Sequence, residues 1–291
     1  MTFPQIGAFP RLGEGAIGPI RSIAGQETLL SRGAHYLHYD EVHDEIMMAN
    51  PFAQAILFFR GGANGKEPPI RVIQGPHTQM ISPDFGIGVD PVNDEIFVGE
   101  YDSILVFPRT GNGDVAPILV LKGPHTQLGN PWGPETIRGI GVDPIHNVLV
   151  VNGYFGATAH ILIFDRTASG DARPKAEIGG PKTGMRGASY SMRVYPPKGL
   201  ILNPGVSGGL GVWSINDSGD VPPLYLLTRQ REGGAEGGRA EGGRGGEEGG
   251  GGGGEEAGGG LGDRFSFNPK AQEIYIESGD ALNTYSVPEI F

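Results

Sequence analysis

The chain contains no cysteine among its 291 residues. That excludes a disulfide framework, a thiolate zinc or iron–sulfur centre and a cysteine nucleophile, and it leaves the compartment open. Long apolar runs are also missing. Stretches such as 104–107 and 147–151 fall far short of the roughly 20 residues a membrane-crossing helix needs, so the chain reads as soluble. The start, MTFPQIGAFPRLGEG, has no basic stretch followed by an apolar core, although a mature or truncated form would look the same. Basic residues are scarce, 22 against 33 acids for a net charge of −11, which argues against nucleic acid as a partner. Helical periodicity nowhere lasts beyond about two turns. In contrast, 52 glycines and 24 prolines describe a turn-dense chain.

One phrase recurs: YLHYDEVHDEIMMAN (36–50), GIGVDPVNDEIFVGE (86–100), GIGVDPIHNVLVVNG (139–153), MRVYPPKGLILNP (192–204) and FSFNPKAQEIYIES (265–278). Its anchors Asp40, Asp90, Asp143, Tyr195 and Asn268 lie 50, 53, 52 and 73 residues apart. Each phrase is followed by a second apolar run, as in AILFFR (55–60) and SILVFPR (103–109), and usually by another, as in PIRVIQGP (69–76). Between these runs, TGNGDVAP (110–117), TASGDARP (167–174) and NDSGDVPP (216–223) carry the residues of hairpin turns. The pattern predicts an all-β fold of four-stranded antiparallel units. Such a unit cannot bury both faces alone, so copies pack radially as the blades of a propeller.

The ends of the chain predict how the ring closes. Residues 6–30 align without a gap on 104–128, with 11 identities in 25 positions, so the amino terminus is the second half of a blade. The segment from Phe265 supplies a first half and stops after its third strand. The two ends are expected to share one closing blade, giving five blades, with six as the alternative because 6–11 and 281–286 both look like third strands. Residues 233–262 hold 18 glycines, six glutamates and two arginines, and are expected to form a disordered loop inserted before the closing blade.

The phrases GVDPVNDEIFVGE, SILVFPR and GDVAPILVLKGP resemble the NHL and YVTN-type repeats of bacterial propellers, over nearly the whole chain except the glycine tract. That resemblance implies a propeller, and it spans interaction scaffolds, lactone hydrolases and lyases, so function must come from the site. Second strands end in Asn50, Glu100, Asn152, Asn203 and Glu277. If these oxygens ring a channel mouth they could hold Ca²⁺ or another divalent cation, as similar residue types do in metal-dependent lactone hydrolases of this architecture. Strand ends are also ordinary places for turn residues. His77 and His125 recur in the inter-blade phrase GPHTQ, and Thr28, Thr78, Thr126 and Thr183 recur beside them, which suits a structural hydroxyl bond. No nucleophile motif is present.

Repeated residues do repeated, structural jobs, so the exceptions carry the functional information. Blade three has long loops that bring Trp132, Arg138, Tyr154 and Phe155 to one side, and RGASYSMR (186–193) of blade four lies next to them. Aromatic residues with an arginine suit protein or carbohydrate contacts. The expectation is a binding propeller without a cofactor that recognises a protein or glycan on its loop face. The alternative is a lactonase-type hydrolase with a cation at the channel mouth.

Overall fold

The structure, a computed structural model, describes residues 4–33, 36–84, 86–129, 137–154, 158–206, 209–228, 264–278 and 281–291. The 233–262 tract, Trp132 and Phe155 lie outside the described residues.

The fold is an all-β propeller, as the repeat predicts. Blade one comprises β3 (Leu37–Asp40), β4 (Glu45–Asn50), β5 (Ala55–Arg60) and β6 (Arg71–Gln74), hydrogen-bonded in that order. Blade two comprises β7 (Ile87–Asp90), β8 (Glu95–Gly99), β9 (Ser103–Pro108) and β10 (Leu119–Lys122). Blade three holds β11 (Ile137–Asp143), β12 (Val148–Tyr154), β13 (Ala159–Asp165) and β14 (Ala176–Ile178). Blade four holds β15 (Arg193–Tyr195), β16 (Leu200–Val206), β17 (Gly209–Ser214) and β18 (Tyr225–Thr228).

The fifth, closing blade is shared by the two ends of the chain. The carboxyl end gives β19 (Phe265–Asn268), β20 (Glu273–Ser278) and β21 (Ala281–Ser286), and the amino end gives the hairpin of β1 (Gln5–Ala8) and β2 (Arg21–Ala24). These parts form separate ladders, which removes the competition between two third-strand sequences. The hairpin sits between the carboxyl-terminal sheet and blade one: Arg11 donates to both oxygens of Glu273 at 2.8 and 3.0 Å, and Ile23 bridges Gly65 of blade one. The same bridge links the fourth strands of blades one to three to the next blade's turn at Ile73–Gly113, Leu121–Gly170 and Ile178–Gly219.

Middle strands such as AILFFR and SILVFP carry runs of four or five apolar residues without alternation, because each blade is covered on both faces by its neighbours. The core is accordingly a series of slabs between consecutive blades. Phe58 and Ile73 meet Ile96 and Phe107, Phe97 and Leu121 meet Ile140 and Phe164, Val150 and Ile163 meet Trp213, and Leu202 and Val212 meet Ile274 and Ile276. Ile23 of the hairpin covers Leu57 and Phe59. The ring of Phe291 packs on the same cluster, its centre 5.1 Å from that of Tyr195 and 5.3 Å from that of Phe267.

The turn from first to second strand explains the repeated anchor. Oδ1 of Asp40, Asp90 and Asp143 accepts the backbone amides two and three residues on, at 2.9–3.3 Å. Each turn then passes through the left-handed region at Asp44, Asp94, Asn147, Gly199 or Gln272, with φ between 54° and 57°. Asp, Asn and Gly tolerate that conformation best.

Candidate functional site

First strands surround the axis, and their amino-terminal ends open on the face carrying the inter-blade loops and the ends of second strands. On this face blade three departs from the others. Its β11–β12 ladder shifts register between Ile137 and Gly139, and this bulge sets Arg138 out of the regular pairing. Gly139 lets the 187–192 loop approach, since a Cβ there would stand 2.8 Å from the Ser189 carbonyl oxygen. The result is a cluster. The Arg138 guanidinium lies 4.7 Å from the ring centre of Tyr190 and 5.8 Å from that of Tyr154, and donates to the Tyr190 hydroxyl. Arg138 and Tyr154 are half-buried and Tyr190 is exposed, so the cluster is held in place yet reachable.

A second arginine lies further down the axis. Arg193, on β15, donates from Nη1 to the Tyr36 hydroxyl at 3.0 Å and to the Met192 carbonyl at 3.0 Å. Tyr36 precedes β3 of blade one, so this bond crosses the channel past the fifth blade. His38 lies two residues on along the same face of β3. Burial, together with the Arg193 charge, pushes its imidazole down to about 4, leaving it neutral at physiological pH.

The predicted oxygen ring is divided among local tasks. Asn50 accepts from the Ser31 hydroxyl at 2.5 Å and donates to the Leu29 carbonyl at 3.0 Å. Asn152 accepts from the Ser189 amide at 2.7 Å, and one oxygen of Glu100 accepts from the Ser82 and Ile81 amides at 2.7 and 3.1 Å. Glu277 is exposed and lies 3.7 Å from Arg264. The unpartnered buried oxygens of the set are Glu100 Oε1 and Asn203 Oδ1, on blades two and four. Among the described residues, no three His, Asp or Glu side chains group so as to hold a metal ion. Glu100 is itself unusual: it is 2% exposed, and burial pushes its carboxyl up to about 7 against the pull of the two amides. It lines a cavity of about 60 Å³ with Leu105, Val120 and Lys122 of blade two and Ile81 of the loop that leads into that blade.

His77 and His125 serve as clamps between blades. Each ring lies 2.6 Å from the carboxylate of Asp114 or Asp171 in the next blade's hairpin turn, and the same carboxylate accepts the histidine's backbone amide. Partial burial opposes ionisation of these carboxyls, but the hydrogen bonds outweigh it and hold both below the ordinary range. Thr28, Thr78, Thr126 and Thr183 are fully buried, and each donates to the preceding Gly carbonyl at 2.6 Å, the structural bond their recurrence predicts.

Of the predicted binding residues, the structure brings Arg138 and Tyr154 together and sets His77 and His125 into separate clamps. Tyr190 and Arg193 fall within the RGASYSMR segment, although nothing there singles them out. Tyr36 carries no signal in the sequence, because its partner lies 157 positions away.

These features define a β-propeller with an arginine–tyrosine cluster on its loop face. No protein-family model and no curated protein matches the chain. Among solved structures it is similar to a "putative 6-phosphogluconolactonase" from Bacteroides uniformis, at 13% identity and a TM-score of 0.53, over 95% of this chain and 71% of that one. That likeness shows the fold. Among the described residues no helix is long and apolar enough to cross a membrane.

Proposed function

We propose that this chain is a non-enzymatic binding propeller that takes an acidic protein or glycan on its loop face, with blades three and four supplying the contact. The observation that carries the reading is the Arg138 guanidinium held between two tyrosine rings where the repeat pattern breaks. Arginine and tyrosine are the residue types that anchor interfaces, and a guanidinium already ordered by its neighbours loses little entropy on binding. Arg193 adds positive charge along the axis of a chain whose net charge is −11. The test sets a uronate-bearing oligosaccharide and an acidic peptide against the whole chain and against Arg138→Ala. Loss of about tenfold in affinity, some 1.4 kcal/mol, supports the reading and tells which ligand class is taken. Unchanged affinity for every ligand that binds refutes it.

A second reading, a lactonase-type hydrolase, draws on the likeness to the lactonase-named propeller. In it Asn50, Glu100, Asn152, Asn203 and Glu277 would hold the cation, and Glu100 Oε1 and Asn203 Oδ1 are buried oxygens of that set with no other partner. Hydrolysis of 6-phosphogluconolactone by the purified chain, assayed with and without added Ca²⁺, would favour this reading over the first.

A further inference from the structure

The bond between Arg193 and Tyr36 leaves donors without acceptors. The Tyr36 ring is packed between blades one and two and the residue is only 3% exposed. Its hydroxyl oxygen accepts from Arg193, so the hydroxyl proton is left to donate, and no acceptor for it stands among the described residues. A buried donor without a partner is uncommon in a folded protein. Arg193 carries five N–H donors, and its recorded bonds all leave from Nη1. It is half-buried and makes no ion pair with a carboxylate among the described residues, whereas Arg71, Arg109 and Arg166 each pair with one. A third polar group, the imidazole of His38, lies on the same face of β3 and feels the Arg193 charge.

We infer that the channel between blades one and four holds a small oxyanion, a carboxylate or a phosphate, bound by the guanidinium of Arg193 and the hydroxyl of Tyr36, with the imidazole of His38 beside it. The oxyanion accepts the Tyr36 proton and the free edge of the guanidinium, which satisfies the buried hydroxyl and compensates the cation at once. Arginine suits this task because its planar fork matches two oxygens of either anion. The site differs from the Arg138 cluster in residues and in ligand size. It stands if the macromolecular reading fails.

The bound anion would also reach His38. A negative charge beside an imidazole favours its protonated form, so occupancy raises the His38 pKa from about 4. The charged and titratable groups that the ring feels are Arg193 across the channel and Asp40 at the end of its own strand, and the titration without ligand records their effect. The shift therefore reports the ligand.

The experiment titrates the whole chain with inorganic phosphate and, separately, with acetate, following the His38 imidazole by NMR and the heat of binding by calorimetry. Binding by either anion with an upward movement of the His38 titration is the expected result, and the stronger of the two identifies the class of oxyanion. Arg193→Gln should abolish both signals. Tyr36→Phe keeps the packed ring and removes only the hydroxyl, and it should weaken binding about tenfold. Should Arg193→Gln disturb folding, Tyr36→Phe carries the test alone. The inference is overturned if neither anion moves the His38 titration, or if Tyr36→Phe binds as the wild type does.

Discussion

At the scale of single residues, burial decides which polar groups are structural and which are under tension. Glu100 is the clearest case. Its folded-state carboxyl titrates at about 7, whereas an unfolded glutamate titrates near 4.5. The folded state therefore binds the proton more tightly, and that advantage is fully present below pH 4.5 and lost as the pH rises through 7. Glu100→Gln keeps an acceptor for the Ser82 and Ile81 amides and removes the ionisation. It is expected to be more stable than the wild type by about 3 kcal/mol at pH 8 and no different at pH 4. Denaturant unfolding at the two pH values checks this, and equal stabilities at pH 8 would contradict the tension assigned to Glu100. Gly75 shows backbone tension of another kind. Its φ is 140° and a Cβ would stand 2.4 Å from the Asp114 carboxylate. Gly75→Ala must therefore break the His77–Asp114 clamp as well as strain the turn, a loss of about 2 kcal/mol by thermal unfolding.

At the scale of elements, the strands hold because blades cover one another, and where they meet at their lower ends the contact is ionic. Glu45, at the start of β4, takes a bidentate bond from Arg71 of its own blade at 2.8 and 2.7 Å and also lies 3.4 Å from Arg109 of blade two. All three side chains are largely buried. Glu45→Ala leaves two shielded cations facing each other, so a loss of about 3 kcal/mol is expected, and additional loss in Glu45→Ala/Arg109→Ala would show that the blades are not coupled through this carboxylate. The four-strand units, their hairpin turns and the Asp-anchored first turn were legible in the sequence, since each rests on local patterning that recurs along the chain. Clamp histidines were legible as a repeat but not as a contact. His77 meets Asp114 only because consecutive blades rotate by a constant step, and nothing in GPHTQ states that step.

At the scale of the molecule, closure is the weak point. Four blade interfaces are apolar slabs, but the fifth blade's two parts meet through the Arg11–Glu273 pair, while Lys270 reaches Glu41 of blade one at 3.4 Å. Exposed pairs of this kind contribute at most about 1 kcal/mol each. The hairpin instead is held by Ile23, 2% exposed against Leu57 and Phe59. Ile23→Ala is expected to cost about 3 kcal/mol and to speed proteolysis of residues 4–24 before the rest of the chain. If 233–262 is the loop that its composition predicts, its deletion should leave the unfolding free energy within about 1 kcal/mol of the full chain, as denaturant unfolding would show.

The amino-acid sequence by itself determined the blade, its period, its turns and the presence of both halves of a closing unit at opposite ends, because these depend on neighbours close along the chain. Only the tertiary structure decided that the closing halves pair separately, since both carry third-strand sequences and the choice depends on which edge each can reach. It alone decided the pairing of Arg138 with Tyr190 and of Arg193 with Tyr36. Contacts across an axis depend on the radius and rotation of the whole ring, and no stretch of sequence encodes those locally.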